Sequence, residues 1–222
     1  MNNMRRAVMS LAILLFSASL LRAQDLSKYR NFSLGMSLAD LSKQIDARPG
    51  DVRVIHRRPA LIEELTWWPR LTGYPPKSEA IREIHFSFCD GTLYRIDVTY
   101  DDKATEGMTT DDMVRAISAR YGTPGTPEAS ISLSEGVYDT TEKVLARWED
   151  AKDSVNLLRP SSYSTFALVL FAKQQNAEAQ AVMAAAAKLE MVDAPQNAID
   201  QKKKDADVLE AARVKNLKVF HP

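Results

Sequence analysis

The amino-acid sequence predicts an α+β fold in which two repeats, each a helix followed by antiparallel strands, pack as one sheet with helices on one face, followed by a C-terminal helical pair. Three observations predict it: one helix start occurs twice, strand-like segments follow each copy, and an alanine-rich stretch ends the chain. The chain has 222 residues, of which 45% are hydrophobic and only 8 are glycine. This composition excludes collagen-like, low-complexity and wholly disordered proteins.

Residues 1–23 are predicted to be a secretory signal peptide. Two arginines precede an uncharged, mostly apolar run from 7 to 21, and Ala23 supplies a small residue for cleavage. An uncleaved anchor is disfavoured because a spanning helix needs about 20 apolar residues and Arg22 interrupts the run. We therefore expect an exported protein, periplasmic or secreted, with no stable membrane anchor after cleavage.

The same helix start appears at residues 35–45 and again, 72 positions later, at residues 107–117. Ser37 and Thr109 are the predicted N-caps, whose hydroxyls accept hydrogen bonds from backbone N–H groups of the first turn. An aspartate stands three residues after each cap, as in a capping box, and a methionine precedes the cap, as in a hydrophobic staple. The duplication indicates two copies of one structural unit within residues 24–172.

Segments with β-strand character follow each predicted helix. After the first helix they are 52–56, 61–67, 82–88 and 93–100, and after the second they are 143–149, 154–158 and 163–171. The order of a helix and then several strands, given twice, is what predicts an antiparallel sheet rather than alternating parallel strands.

One predicted hairpin, from Glu83 to Tyr100, can be given a register. Its apolar residues alternate in both strands, so a correct register places them all on one face. A two-residue turn would oppose Phe86 to Arg95, whereas a three-residue loop from Cys89 to Gly91 opposes Phe86 to Tyr94, so we predict the longer loop. The other face then carries the polar side chains Glu83, His85, Ser87, Arg95, Asp97 and Thr99.

Residues 28–172 resemble a known family in short motifs. These are Phe32-x-Leu34-Gly35-Met36-Ser37, the helix and strands that follow it, and Arg120-Tyr121-Gly122-x-Pro124. They are similar to the exported helix-plus-strands module of the β-lactamase-inhibitor-like and small outer-membrane assembly lipoprotein (SmpA/OmlA, BamE-like) group, whose inhibitors are tandem repeats. The resemblance implies this fold and the binding of another protein. It implies no specific partner, because the chain has neither the acylated cysteine of the lipoproteins nor the disulfides of the inhibitors.

Residues 173–222 form the predicted C-terminal helical segment. Apolar residues recur at helical spacing from 174 to 191 and again after Pro195, where we expect a break between two helices. Interleaved lysines and acids from 200 to 210 indicate a solvated face rather than a phosphate-binding patch. The helices either fold back on the sheet or stand out as an arm.

Enzyme motifs are absent from the sequence: it has no nucleophile elbow, no H-E-x-x-H, no phosphate-cradling glycine loop and no CxxC pair. No cofactor and no metal are predicted, because metal sites usually take close-spaced ligands from two segments and only His85 and Cys89 form such a pair. The lone Cys89 has no internal disulfide partner, and a single thiol in a strand is more often simply buried. An enzyme with an unrecognised site is the minor alternative, with Cys89, His85 and Asp97 as first suspects.

The segment 57–76 is the best candidate for an interface. Trp67 and Trp68 must point to opposite sides of an extended chain, so one can enter the core while the other faces outward. The Pro- and Gly-rich stretch after them predicts an exposed loop. Exposed Trp, Tyr and Arg often dominate interfaces. With the polar sheet face, the predicted binding residues are Arg57, Arg58, Trp67, Trp68, Arg70, Tyr74, His85 and Arg95. The alternative is that the C-terminal helices cover both tryptophans.

The balance of 29 basic and 29 acidic side chains does not favour nucleic acid as a partner. The predicted function is therefore a non-enzymatic protein-binding module, whose partner is another envelope or secreted protein. A scaffold component of an envelope assembly, held through the C-terminal helices, is the alternative.

Overall fold

The structure, a computed structural model, describes residues 25–69, 80–135, 138–160 and 165–219. The predicted signal peptide lies outside these residues. The described residues form an α+β fold with an eight-stranded antiparallel sheet, a separate two-stranded ribbon and three α-helices. The α+β class and the antiparallel sheet are therefore confirmed.

The first half of the sheet follows a short helix. A ribbon of β1 (Lys28–Tyr29) and β2 (Phe32–Ser33) precedes helix α1 (Leu38–Gln44) and a 3-10 turn (Pro49–Asp51). The strands that follow pair with one another in sequence order. They are β3 (Val52–His56), β4 (Ile62–Trp67), β5 (Ile81–Cys89) and β6 (Thr92–Tyr100).

The second half has the same order of elements, a helix and then four strands. Helix α2 (Thr110–Tyr121) precedes β7 (Ser130–Glu135), β8 (Tyr138–Glu149), β9 (Asp153–Leu158) and β10 (Ala167–Ala172). Strand β7 was not predicted. The last strands of the two halves pair, which gives the sheet order β3-β4-β5-β6-β10-β9-β8-β7.

The main core lies between the sheet and the helices α1 and α2. The side of the sheet that these helices cover is called the core face here. It carries Ile84, Phe86, Ile96, Val98 and Leu168, each at most 1% exposed. Leu41 of α1 and both Met113 and Ile117 of α2 pack into the same cluster. The opposite side, called the polar face, carries Glu83, His85 and Asp97.

Both predicted helix starts are confirmed. The hydroxyl of Ser37 accepts from the backbone N–H of Asp40 at 3.1 Å, and that of Thr109 accepts from Asp112 at 3.2 Å. Asp112 completes a capping box, because its carboxylate accepts from the backbone N–H of Thr109 at 3.0 Å. Each cap thus satisfies a donor that the first turn of a helix leaves without an internal partner.

The predicted register of the β5–β6 hairpin is wrong. Phe86 pairs with Ile96 rather than Tyr94, and the strands are joined by a two-residue turn of Asp90 and Gly91, both at positive φ. A bulge makes the short turn compatible with the apolar alternation, because Tyr94 is an extra residue between the pairs Ser87–Arg95 and Phe88–Leu93. The bulge turns Tyr94 to the polar face, while the other apolar residues share the core face as predicted.

The C-terminal helical prediction is confirmed, and the two stretches form a single element, α3 (Lys173–Val219). Pro195 lies inside this helix, where a break was expected. The start of α3 packs on the polar face, where Ala179, Val182 and Met183 contact Ile62 and Tyr94. Helices therefore cover both faces of the sheet rather than one.

The left-handed conformation of Gly91 gives a stability prediction. Gly91 has a φ of +74°, which L side chains rarely adopt, so Gly91→Ala should lower the free energy of unfolding by about 1 kcal/mol. Gly50→Ala is the matched control, because no positive φ constrains Gly50 and no atom lies within 4 Å of its added Cβ. Urea unfolding of both variants checks this, and equal losses of stability would contradict it.

Candidate binding surface on the polar sheet face

Glu83 is the centre of a polar cluster beside Trp68. The indole N–H of Trp68 donates to its Oε2 at 3.0 Å, and Arg82 donates to its Oε1 at 3.0 Å. His85 Nε2 lies 3.7 Å from the same Oε2, an ion pair when the imidazole is protonated. On its other side, His85 Nδ1 is 3.0 Å from the hydroxyl of Thr66. One carboxylate thus fixes three neighbouring side chains.

The charges in this cluster shift one another's pKa values. The His85 imidazole has the largest influence on Glu83 and, with Arg82, lowers its pKa to about 2 although burial opposes this. Burial is the largest influence on His85 and lowers its pKa, but the carboxylates of Glu83, Asp97 and Glu64 outweigh it, so the pKa is raised overall. The cluster therefore favours a charged Glu83–His85 pair in slightly acidic solution.

Trp68 is the exposed member of the predicted tryptophan pair. Its side chain is 43% exposed, and the hydrogen bond to Glu83 holds the ring in place. Trp67 points the other way and packs edge-on against Phe32, with ring centroids 5.6 Å apart. The prediction that the two rings face opposite sides is confirmed, and the alternative that the C-terminal helix covers both is wrong. A fixed, exposed indole loses little conformational entropy when it binds.

Arg95 is buried, although it belongs to the predicted binding residues. Only 6% of it is exposed, and its guanidinium group donates two hydrogen bonds, of 2.7 and 2.9 Å, to the Asp97 carboxylate. It also donates to the backbone carbonyl of Ser132 in β7 at 2.6 Å. In a flat sheet β6 and β7 would be about 19 Å apart, four strand spacings, so the second half must curl over the polar face. Arg95 therefore stabilises this curl.

Arg58, in the loop after β3, and His56, at the end of β3, contact α3. Arg58 pairs with Asp193 of α3 at 2.6 Å, and His56 Nδ1 lies 2.9 Å from Glu190 Oε1. Arg57 is exposed. The end of β3 and the loop after it are thus joined to the helix by the Arg58–Asp193 ion pair and the His56–Glu190 hydrogen bond. Exposed pairs of this kind contribute little stability, so they set the position of α3 more than they strengthen the fold.

Arg70 and Tyr74, the remaining predicted binding residues, lie outside the described residues. Of the eight, the structure therefore brings Trp68 and His85 together around Glu83 and places Arg58 beside α3, while Arg57 is exposed. Glu83, Glu190 and Asp193 were not predicted as site residues. Strand alternation placed Glu83 beside His85 on the polar face, and that was the available signal for it.

The first suspects for an unrecognised enzyme do not meet in one site. His85 and Cys89 are four residues apart on one strand, which separates them by about 13 Å. Burial raises the pKa of the Cys89 thiol, which lowers the fraction of reactive thiolate. Within the described ranges, no three His, Cys, Asp or Glu side chains come together as metal ligands would.

Comparisons with known proteins give no relative: no family model, no curated protein and no solved structure matches this chain. The resemblance to the inhibitor-like and assembly-lipoprotein group therefore stays a prediction. None of the helices in the described part of the chain combines the length and apolar character that crossing a membrane requires.

The Glu83–His85 pair predicts a pH-dependent stability. Above its ordinary pKa of 4.5, Glu83 makes its full contribution to the free energy of unfolding. This contribution is lost as pH falls toward about 2. Below its ordinary pKa of 6.5, His85 makes its full contribution to the free energy of unfolding. This contribution is lost as pH rises through its raised folded-state pKa. The pair is strongest between these limits.

His85→Gln should therefore lower the free energy of unfolding by about 0.5–1 kcal/mol at pH 5.5 and by less at pH 8.5. Thermal unfolding across this range measures the difference. In a Glu83→Gln background the pH dependence should shrink, because the main partner of the imidazolium is gone. A His85→Gln effect that is independent of pH would refute the pairing.

Proposed function

We propose that the protein is an exported, non-enzymatic protein-binding module whose principal binding surface is the distal half of α3, residues 191–219. The observation that supports it most is the exposure of large apolar side chains there, each at least 41% exposed. They are Met191, Val192, Ile199, Val208, Leu209, Val214, Leu217 and Val219. Isolated apolar side chains are ordinary on a surface, but a concentration on one projecting element is typical of an interface.

These side chains are arranged as a stripe. At about 100° per residue, six of them fall within an arc of roughly 140° around the helix, and only Val208 and Val219 lie outside it. Lys202, Lys203, Glu210 and Arg213 share the arc, so the surface is mixed in character, as non-obligate interfaces are. Helices gain most of their stability from packing an apolar face, so a partner helix or groove would stabilise this half of α3.

The polar sheet face supports a second, smaller candidate surface. Many of its charged groups are already paired within the chain, as Arg95 is with Asp97 and Ser132. The ring of Trp68, beyond the last residue of β4, and Arg57, near the opposite end of that strand, are both exposed. This surface is the interface that the sequence predicts, and it is the alternative binding site for the partner.

We also propose that the protein is exported and that its two halves arose by duplication of one structural unit. The charged and then apolar start of the chain supports cleavage and export to the periplasm or beyond. The two halves have the same order of elements, and Gly35 and Gly107, at equivalent places before the caps, both have positive φ. These parallels support an origin as a tandem repeat, in which a helix-plus-four-strand unit was duplicated.

A double substitution, Ile199→Glu with Leu209→Glu, should remove binding at the stripe. We expect association with the partner to fall by about tenfold or more, since each change places a charge in a buried interface. The melting temperature should change little, because both side chains are exposed in the free protein. In-cell cross-linking of tagged protein in its native host, with mass spectrometry, measures the association.

Val208→Glu with Val219→Glu is the matched control, because it adds the same two charges to the same helix outside the stripe. Trp68→Ala tests the sheet face in parallel. Retained association in the Ile199→Glu with Leu209→Glu variant together with loss in Trp68→Ala would move the binding surface to the sheet. If every variant captures what the unaltered protein captures, both surfaces are refuted, and if the unaltered protein captures nothing above background, the protein-binding function itself is refuted.

A further inference from the structure

A cavity of about 300 Å³ lies between α2, the ribbon strand β1 and the end of β6. Its walls are largely apolar, with Met108, Met113, Ile117 and Leu168 among the lining side chains. It opens to solvent beside the exposed Arg30 and Arg120, and ligand sites are typically concave clefts with mainly apolar walls. Methionine side chains adapt their shape readily to a bound molecule. The cavity therefore has the volume and the walls of a site for an apolar ligand.

Tyrosines add a polar side to the cavity. Tyr29, Tyr100 and Tyr121 line it. Tyr121 donates its hydroxyl to the carbonyl of Lys28 at 2.6 Å. Burial raises the pKa of Tyr100 well above its usual range and that of Tyr121 to about 12. Both phenols are therefore neutral near pH 7 and add no negative charge to the cavity.

The rim of the cavity is cationic. Arg30 and Arg120 line it, both exposed, and their guanidinium groups lie 5.9 Å and 5.5 Å from the ring centroids of Tyr29 and Tyr121. Arg120 also donates to the carbonyl of Lys28 at 3.3 Å. Among the described residues, no Asp or Glu lines the cavity. An anionic group at the rim would face two guanidinium groups and no lining carboxylate, so the charges favour an anion.

We propose that this cavity binds a small amphiphilic anion, an aliphatic monocarboxylate of roughly ten carbons, whose chain contacts Met108 and Met113 and whose carboxylate lies at the Arg30–Arg120 rim. The size follows from the volume, since a cavity of about 150 Å³ holds one benzene molecule and this one is about twice as large. The inference is independent of the proposed protein-binding function, because the cavity is formed by α2, β1 and β6 and not by α3.

The test uses the protein labelled with ¹³C at its methionine methyl groups and titrated with sodium decanoate, with decan-1-ol as the neutral comparison. Decanoate should shift the Met108 and Met113 methyl signals in a saturable manner. Met183, which packs between α3 and the polar face, should not respond. Decan-1-ol should bind at least about tenfold more weakly, because it lacks the charge that the arginines attract.

Two pairs of variants separate the parts of the proposal. Ala116→Phe places a large ring at the cavity lining and should weaken decanoate binding at least about tenfold, whereas Ala119→Phe, on the same helix outside the lining, should not. Arg30→Gln with Arg120→Gln should remove the preference for decanoate over decan-1-ol, and Arg57→Gln with Arg58→Gln should keep it. Thermal unfolding of each variant verifies that it is folded.

Failure to saturate at millimolar decanoate would overturn the proposal. An equal response of Met183, which would indicate nonspecific binding, would overturn it as well, and so would full affinity in folded Ala116→Phe. Equal binding of the alcohol and the carboxylate would overturn the assignment of an anionic ligand.

Discussion

The antiparallel pairing of β6 with β10 joins the two halves of the sheet, and the other elements are placed around it. Five residue pairs, from Thr99–Ala167 to Arg95–Phe171, form the ladder. On its core face, Ile96, Val98 and Leu170 are completely buried. Without this ladder each half would be a four-stranded meander with an open edge, and an open edge promotes aggregation. The pairing turns two small units into one sheet, under which α1 and α2 share a single core.

On the polar face, burial is possible because charged groups are satisfied within the chain. Arg95 forms a bidentate ion pair with Asp97 and donates a hydrogen bond to a backbone carbonyl. Its buried guanidinium therefore has partners on several sides. The carboxylate of Glu83 is likewise satisfied within the chain, because it accepts hydrogen bonds from Trp68 and Arg82. Removing one partner from such a group leaves an uncompensated buried charge, which is why these networks act as units. They determine how far the sheet curls and where the exposed indole stands.

Contacts between residues close in sequence were predictable. The caps at Ser37 and Thr109 depend on groups three residues away, and the opposite directions of Trp67 and Trp68 depend on strand alternation alone. The register of the β5–β6 hairpin was not predictable, because the bulge at Tyr94 is accommodated by packing against Ala179 of α3, far along the chain.

In the candidate site too, the contacts between residues close in sequence were predictable and those between distant residues were not. The polar face that holds His85 followed from alternation, but the burial of Arg95 depends on Ser132, 37 residues later. The position of Arg58 likewise depends on Asp193, 135 residues later. Strand β7 shows alternation too, with Ile131 and Leu133 facing an apolar cluster. Because serines separate these apolar residues, the segment resembles a loop in composition.

The length of α3 sets a distance. A helix of 47 residues extends about 70 Å at 1.5 Å per residue, and the half beyond Met191 accounts for roughly 40 Å of it. Whatever engages the tip is held well away from the sheet, so a molecule bound at the tip and another bound at the sheet need not touch. Pro195 removes one backbone hydrogen bond near the base of this projecting half, so any bend of the rod is expected there. The chain is in this respect a spacer with a hinge point, and its reach depends on the number of helical turns beyond that proline.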